Sequence, residues 1–187
     1  IDSDKFKQNQ NLVTLFETVH CNKSTLHLMG LLSDGAVHSH IDHLDYILKC
    51  AGNAGLTDII IHAITDGRDT APDSGINYIR QLENILTENG IGRIATVCGR
   101  YYTMDRDKRW DRIEKAYMML SNGLGETFDS AEEAVQISYD MGITDEFITP
   151  KIIGNKQSLK KEDYLFMFNF RADRMRQICD VLTNPDF

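Results

Sequence analysis

The sequence predicts an α/β fold: a mainly parallel β-sheet with helices on both faces, in three layers (α/β/α). Short continuous apolar runs alternate along the chain with stretches in which apolar residues recur every three or four positions. The first pattern is typical of strands buried on both faces, and the second is typical of amphipathic helices. Strands that alternate with helices build a parallel sheet, because each helix carries the chain back across the sheet.

The predicted elements follow one another in a regular order. Residues 1–25 are a polar lead-in with a short helix, and residues 26–187 form a single α/β domain. Apolar runs predict strands over residues 26–32, 59–64, 94–98, 147–153 and 164–170. Apolar stripes at helical spacing predict helices over residues 39–54, 76–86, 110–120, 130–142 and 175–182.

Two of these helices start with a capping signature. Ser39 with Asp42, and Ser130 with Glu133, resemble capping boxes, in which the serine accepts a hydrogen bond from the backbone three residues later. The sequence therefore predicts helix starts at Ser39 and Ser130.

Composition excludes several classes of protein. Of the 187 residues, 42% are hydrophobic and 26% are charged, which is ordinary for a globular domain. The net charge of −8 argues against a broad nucleic-acid surface, although it permits a local cationic pocket. We find no membrane span and no signal peptide, so we expect a cytoplasmic protein. The four cysteines are far apart, and we expect free thiols.

The segments that follow the predicted strands carry the candidate chemistry. In an open parallel sheet, ligands bind outside the carboxyl ends of the strands. Guanidinium groups suit carboxylate and phosphate oxygens, so arginines collected at this edge predict a pocket for a small polyanion. The alternative is that each arginine pairs with a nearby acid. The residues concerned are His38, Arg68, Arg100, Arg106, Arg171 and Arg174.

Histidines offer a second kind of site. His38, His40 and His43 are close in sequence, but on a helix only His40 and His43 share a face, and no further ligands follow at zinc-like spacing. His38 is the best candidate to face a substrate, because helix N-termini favour anions. His27 and His62 lie inside strand patterns, where a buried imidazole is expected to be structural.

Four segments carry a resemblance to a known family. SDGAVHSH, DGRDTAPDSG, GRYYTMDRDKRW and FNFRADR occur in this order. In order and spacing they closely resemble the cofactor-independent (2,3-bisphosphoglycerate-independent) phosphoglycerate mutases, over residues 26–182. One departure is Ala36, where the family usually has glycine. In that family a substrate-binding domain is inserted into a phosphatase-like metal domain. This chain resembles the insert alone, so we expect it to be a piece of a longer protein.

The resemblance also implies an activity. The full-length enzyme would interconvert 3-phosphoglycerate and 2-phosphoglycerate in glycolysis and gluconeogenesis, through a phosphoserine intermediate on the metal domain. Two divalent metals (Mn or Mg) would be bound by that absent domain, and no 2,3-bisphosphoglycerate would be required. The partners of this chain would be phosphoglycerate and the missing domain of the same polypeptide. We expect a monomer, with no nucleic-acid or membrane partner.

Site residues carry over from the same four segments. The chain would hold no catalytic residue and no metal ligand, so the isolated fragment should be inactive. Asp69, beside Arg68, is the candidate acceptor for a substrate hydroxyl. The substrate contacts would be His38, Arg68, Asp69, Arg100, Arg106, Arg171 and Arg174.

Two alternative functions stay open. The chain would be a self-contained anion-binding or regulatory module if it used the same sheet edge without catalysis. A metal-dependent hydrolase that uses His38, His40 and His43 ranks last. The alternatives differ in whether the intact polypeptide continues on both sides into segments rich in Asp, His and a serine nucleophile.

Overall fold

A six-stranded sheet in the order β4-β5-β3-β2-β1-β6 forms the centre of the protein, in a computed structural model that describes residues 9–184. The first eight residues of the predicted lead-in lie outside this range. Strands β1, β2, β3 and β6 pair in parallel, whereas β5 runs antiparallel to β3. The strands are β1 Leu26–Leu32, β2 Ile59–Thr65, β3 Arg93–Gly99, β4 Glu126–Phe128, β5 Lys151–Ile153 and β6 Tyr164–Met167.

Helices cover both faces of this sheet, which confirms the predicted three-layer fold. Two short 3-10 turns, Asp145–Phe147 and Ala172–Arg174, interrupt the connections. No helix in residues 9–184 has the length and apolar character that a membrane crossing requires. The helices are α1 Gln10–Asn22, α2 Ile41–Asn53, α3 Gly75–Asn89, α4 Arg100–Thr103, α5 Trp110–Asn122, α6 Ala131–Asp140 and α7 Arg176–Thr183.

Two hydrophobic clusters hold the layers together. Consecutive strand residues point to opposite faces, so Leu28 belongs to one cluster and Met29 to the other. Phe16 and Leu48 bring α1 and α2 onto the first face, and Ile113 brings α5 onto the second. Each fully buried side chain of this kind contributes about 1.5–3 kcal/mol. The packed sheet is therefore a rigid scaffold for the loops at its edge.

A buried polar chain crosses the sheet, in agreement with the structural role expected for His27 and His62. The His27 Nδ1 lies 2.8 Å from the His62 Nε2, and the His62 Nδ1 lies 2.9 Å from the Thr96 hydroxyl. The His27 Nε2 completes the chain at 3.2 Å from the Asp163 carboxylate. Burial, with a smaller contribution from His27, lowers the pKa of His62 to about 3. His62 is therefore neutral at physiological pH.

The two predicted capping boxes differ in outcome. The Ser130 hydroxyl accepts the Glu133 N–H at 3.1 Å, as predicted. The prediction for Ser39 is wrong, because its hydroxyl donates to the Leu31 carbonyl oxygen at 2.5 Å. That buried hydroxyl needs an acceptor, and the end of β1 supplies it. The His40 side chain instead caps α2, which begins at the following residue.

The strand predictions fail towards the end of the chain. Only Lys151–Ile153 of the predicted 147–153 strand pairs in the sheet, because a 3-10 turn occupies residues 145–147 and Pro150 lacks the N–H that a sheet interior needs. Strand β4 was not predicted, since it has three residues and two of them are exposed. The last strand ends at Met167 rather than at residue 170.

Candidate anion-binding site

The carboxyl ends of β1, β2, β3 and β6 lie at one edge of the sheet, and the loops that follow them carry the predicted residues. Parallel pairing in register places Leu32 beside Thr65, and Thr65 beside Gly99. The loops thus start side by side. The β1 loop carries His38, the β2 loop Arg68 and Asp69, the β3 segment Arg100 and Arg106, and the β6 segment Arg171 and Arg174.

Four of these residues line one cavity of about 300 Å³. This volume is at the small end of the range for ligand pockets, so it suits a small molecule. Two further arginines and three acids in the same wall were not among the predicted site residues. The charged lining consists of Arg68, Arg100, Arg106, Arg109, Arg112, Arg174, Asp105, Asp107 and Glu146.

Arg100 is the buried centre of the site. Only 5% of its side chain is exposed, and its Nη1 donates to the Asp66 carboxylate at 2.6 Å and to the Asp69 carboxylate at 2.7 Å. Burial alone would lower the pKa of Arg100, but the hydrogen bonds to Asp69 and Asp66 outweigh it and raise the pKa. Arg100 therefore stays charged in a fixed position.

Asp66 shapes the β2 loop, a role that the sequence analysis did not assign. Its Oδ1 accepts the N–H groups of Arg68 and Asp69, both at 3.1 Å, in addition to the Arg100 guanidinium. An aspartate directly after a strand and before a glycine is a turn signal that could have indicated this role. The carboxylate of Asp69, the candidate acceptor for a substrate hydroxyl, accepts from Arg100.

His38 is a buried imidazole with spare hydrogen-bonding capacity. It is 4% exposed, its Nε2 lies 3.8 Å from the Asp69 carboxylate, and its Nδ1 has no partner among residues 9–184. Burial and then the charge of Arg100 lower the pKa of His38, so the ring is neutral at pH 7. A neutral ring can donate one hydrogen bond to a ligand or accept one from it. Because α2 begins at Ile41, His38 lies in the loop, further from the helix than predicted.

Arg106 and Arg171 share one acid. The Asp173 carboxylate accepts from the Arg106 Nη1 at 3.0 Å and from the Arg171 Nε at 2.9 Å. Burial would raise the pKa of Asp173, but these two hydrogen bonds outweigh it and lower the pKa. The Phe170 N–H donates to the His38 carbonyl oxygen at 2.9 Å, which ties the β6 segment to the β1 loop. Arg171 therefore lies beside the cavity without lining it.

Arg174 marks the positive potential of the cavity. Its Nη1 donates to the Met104 carbonyl oxygen at 3.4 Å, and its Nε is buried without a hydrogen-bond partner in the described part of the chain. Burial, and then the charges of Arg106, Arg100 and Arg68, lower the pKa of Arg174. An anion in the cavity would relieve this repulsion and supply the missing acceptor.

Arg68 is free to move towards a ligand. Its side chain is 54% exposed, and its Nη1 lies 3.5 Å from the Glu146 carboxylate. An exposed ion pair of this kind contributes at most about 1 kcal/mol. Acid pairing, the alternative explanation for the arginines, is thus real for Arg100, Arg106 and Arg171. It does not explain why these pairs gather at one edge of the sheet.

The histidines near α2 do not form a metal site. Within residues 9–184, no group of three or more His, Cys, Asp or Glu side chains could hold a metal ion. The His40 side chain accepts the Asp42 N–H at 3.2 Å, and the His43 ring lies 5.7 Å from the Phe170 ring. These residues do not fit a resident metal, so we derive no metal-dependent step from this chain.

Larger cavities occur elsewhere but lack comparable charge. One of about 580 Å³ lies at the far ends of α2 and α3, where Tyr46, Asn53 and Asn89 contribute to its wall. Among the described residues that line it, only Lys49 is charged. The density of guanidinium groups, rather than the cavity volume, therefore identifies the cavity at the strand ends as the candidate anion-binding site.

Comparisons with known proteins agree on one family. The family model described as "BPG-independent PGAM N-terminus" matches residues 1–187. The 2,3-bisphosphoglycerate-independent phosphoglycerate mutase of Syntrophotalea carbinolica is 46% identical over 189 residues, which cover 100% of this chain and 37% of that protein. The enzyme of the same name from Clostridioides difficile is 49% identical over 172 residues, which cover 90% of this chain and 34% of that protein.

A solved structure gives the same result. The chain is similar to a crystal structure of Leishmania mexicana phosphoglycerate mutase at low cobalt concentration, with a TM-score of 0.88 and 30% identity. That match covers 99% of this chain and 37% of the other. The chain thus spans little more than a third of the length of the relatives that it matches.

Proposed function

This chain belongs to the BPG-independent phosphoglycerate mutase N-terminal family, and we propose that it holds the phosphoglycerate substrate of such an enzyme. The full-length protein would interconvert 3-phosphoglycerate and 2-phosphoglycerate. As the family name indicates, it would not require 2,3-bisphosphoglycerate.

The observation that carries this proposal is the under-satisfied cationic cavity. Arg174 has a buried N–H without an acceptor among the described residues, and Arg68 is only weakly paired. Phosphoglycerate carries a carboxylate and a phosphate, so it needs several guanidinium forks within a small volume. The cavity of about 300 Å³ supplies them.

Arg100 and Arg174 line the cavity, whereas Asp69 contacts Arg100 and His38 contacts Asp69 without lining it. Arg100 is held rigidly by Asp66 and Asp69, so it would give one anionic group of the substrate a fixed position. The free lone pairs of Asp69 would accept a glycerate hydroxyl, and the open nitrogen of His38 would add one hydrogen bond. Arg174 would meet the phosphate.

The rest of the polypeptide would carry the phosphoryl chemistry. A phosphatase-like domain with two divalent metals, Mn or Mg, and a serine would accept the phosphate, while this chain retains the glycerate. Closure of the two parts over the cavity would exclude water and favour return of the phosphate to glycerate over hydrolysis. On this division of labour, the isolated 187-residue chain would be inactive.

The test compares the purified 187-residue chain with the full-length enzyme that contains it. Mutase turnover is measured without 2,3-bisphosphoglycerate, with added Mn²⁺ or Mg²⁺, and binding of 3-phosphoglycerate is measured by calorimetry. We expect turnover only in the full-length enzyme and saturable binding to both. Turnover by the isolated chain that a chelator leaves unchanged would overturn the proposal. A full-length protein that binds phosphoglycerate but shows no turnover would favour the anion-binding module.

A further inference from the structure

The 3-10 turn Asp145–Phe147, here called the wedge turn, supplies part of the cavity wall from outside the four strand-end loops. Glu146 pairs with Arg68 at 3.5 Å, and the Phe147 ring lies 5.1 Å from the Tyr101 ring. Glu146, Phe147 and both of their partners line the cavity. The position of the wedge turn therefore shapes the part of the cavity wall that adjoins Arg68 and Tyr101.

Asp145 anchors the wedge turn by four hydrogen bonds. Its carboxylate accepts the Gly75 N–H at 2.7 Å, and the Tyr139 hydroxyl at 2.5 Å. Its backbone carbonyl oxygen accepts from the Thr65 hydroxyl at 2.7 Å, and its N–H donates to the Pro72 carbonyl oxygen at 2.9 Å. The residue itself is fully buried. One side chain thus joins the wedge turn to the start of α3, through Gly75, and to the end of α6, through Tyr139.

Three glycines make room for this turn. A Cβ atom on Gly99 would collide with the Glu146 carbonyl group, and one on Gly75 would collide with the Asp145 carboxylate. A Cβ on Gly67 would approach the Glu146 nitrogen to 2.8 Å, closer than real Cβ contacts allow. Gly67 and Gly99 directly precede Arg68 and Arg100 in the chain. The slot for the wedge turn is therefore built into the loops that carry these two arginines.

Burial of the Asp145 carboxylate costs free energy of desolvation. Burial, and then the nearby charges of Asp73 and Asp66, raise the pKa of Asp145 to about 6, although the hydrogen bonds from Tyr139 and Gly75 oppose the shift. An apolar residue at this position would avoid that cost of desolvation. What an apolar residue would lack is the directional pair of hydrogen bonds that fixes the turn.

We propose that Asp145 is a positioning residue of the cavity: it holds the wedge turn so that Glu146 and Phe147 keep their places in the wall where phosphoglycerate would bind. The inference rests on the proposed function, because the shape of this wall matters to KM only if the cavity binds this substrate. Asp145 touches no substrate in this account. Its effect passes through Glu146 and Phe147 to the residues that do.

The test uses the full-length enzyme with Asp145→Ala, Asp145→Asn and Tyr139→Phe. Kinetics are measured well below the unfolding temperature of each variant. We expect Asp145→Ala to raise the KM for 3-phosphoglycerate about tenfold, and Tyr139→Phe about threefold, with kcat within about twofold. Asp145→Asn keeps an acceptor for Gly75 and should recover most of the lost affinity. Tyr139→Phe removes a single hydroxyl, so it keeps the test valid if Asp145→Ala fails to fold.

The matched control is Glu132→Gln. Glu132 binds Arg80 at 2.6 Å and so joins the same two helices, α6 and α3, on the surface without touching the wedge turn. This variant should keep the wild-type KM. The inference is wrong if the Asp145 and Tyr139 variants lower stability but keep KM within twofold of Glu132→Gln, or if Glu132→Gln raises KM equally. A wild-type enzyme without mutase turnover would instead refute the proposed function, and the inference with it.

Discussion

Replacing Asp69 with asparagine separates a role in substrate binding from a role in holding the fold. The substitution keeps the shape of the side chain but removes its charge. Arg100 faces two carboxylates, at 2.6 Å from Asp66 and 2.7 Å from Asp69, so Asp69→Asn leaves it one charged partner. Because Asp66 also accepts two backbone N–H groups, the β2 loop should keep its conformation.

The expected magnitude follows from the loss of one charge-assisted hydrogen bond. Such bonds contribute about 1.5–3 kcal/mol, and the partial exposure of Asp69 favours the lower half of that range. Since about 1.4 kcal/mol corresponds to a factor of ten, kcat/KM for 3-phosphoglycerate should fall about 10- to 30-fold in the full-length enzyme. If Asp69 binds the migrating hydroxyl, most of this loss should appear in kcat.

The assay is steady-state turnover of the full-length enzyme beside a urea unfolding curve for each variant. The control is Asp58→Asn, since Asp58 also pairs with an arginine, Arg93 at 2.9 Å, but in an exposed position at the opposite end of the strands. Asp58→Asn should leave kcat/KM unchanged. A loss of less than about threefold for Asp69→Asn, roughly 0.7 kcal/mol, would refute the substrate role and leave Asp69 as part of the scaffold.

Three further predictions concern residues around the site. Arg68→Ala should lower kcat/KM of the full-length enzyme about a hundredfold, since a closed site would give its contact about 2–3 kcal/mol; a change below threefold would contradict this. Ala36 has a φ of +53°, so Ala36→Gly should stabilise the chain by about 0.5–1 kcal/mol in urea unfolding, and an unchanged midpoint would argue against strain there. Because the folded-state pKa of Asp145, about 6, exceeds its ordinary value of 3.8, the wild type should lose stability relative to Asp145→Asn as pH rises from about 4 to 6. The free energy of unfolding of both proteins is measured across that range, and a constant difference would refute the raised pKa.

The central strands could be predicted because they are buried on both faces. Every residue of Leu26–Leu32 and Ile59–Thr65 is buried, so these segments appear in the sequence as continuous apolar runs. The edge strand β4 lacks this signal. Glu126–Phe128 is short and partly exposed, and its composition resembles that of a loop.

The arginines of the site were predictable because parallel topology alone brings strand-end loops together. Their partners were not, because hydrogen bonding depends on the conformation of each loop. Asp69 accepts from Arg100, which lies 31 positions away in the chain, through the turn that Asp66 imposes. Glu146 lies 78 positions from Arg68 in the chain, and no local pattern indicates that contact.

The central claim is that the arginine cavity at the strand ends holds phosphoglycerate, and a crystal structure of the full-length enzyme with 3-phosphoglycerate tests it most directly. We predict carboxylate and phosphate oxygens about 2.7–3.0 Å from the guanidinium groups of Arg68, Arg100, Arg106 and Arg174. Arg68 should then have left Glu146 for the ligand. An ordered substrate elsewhere in the enzyme, with Arg68 still beside Glu146 and the cavity without ligand, would contradict the account.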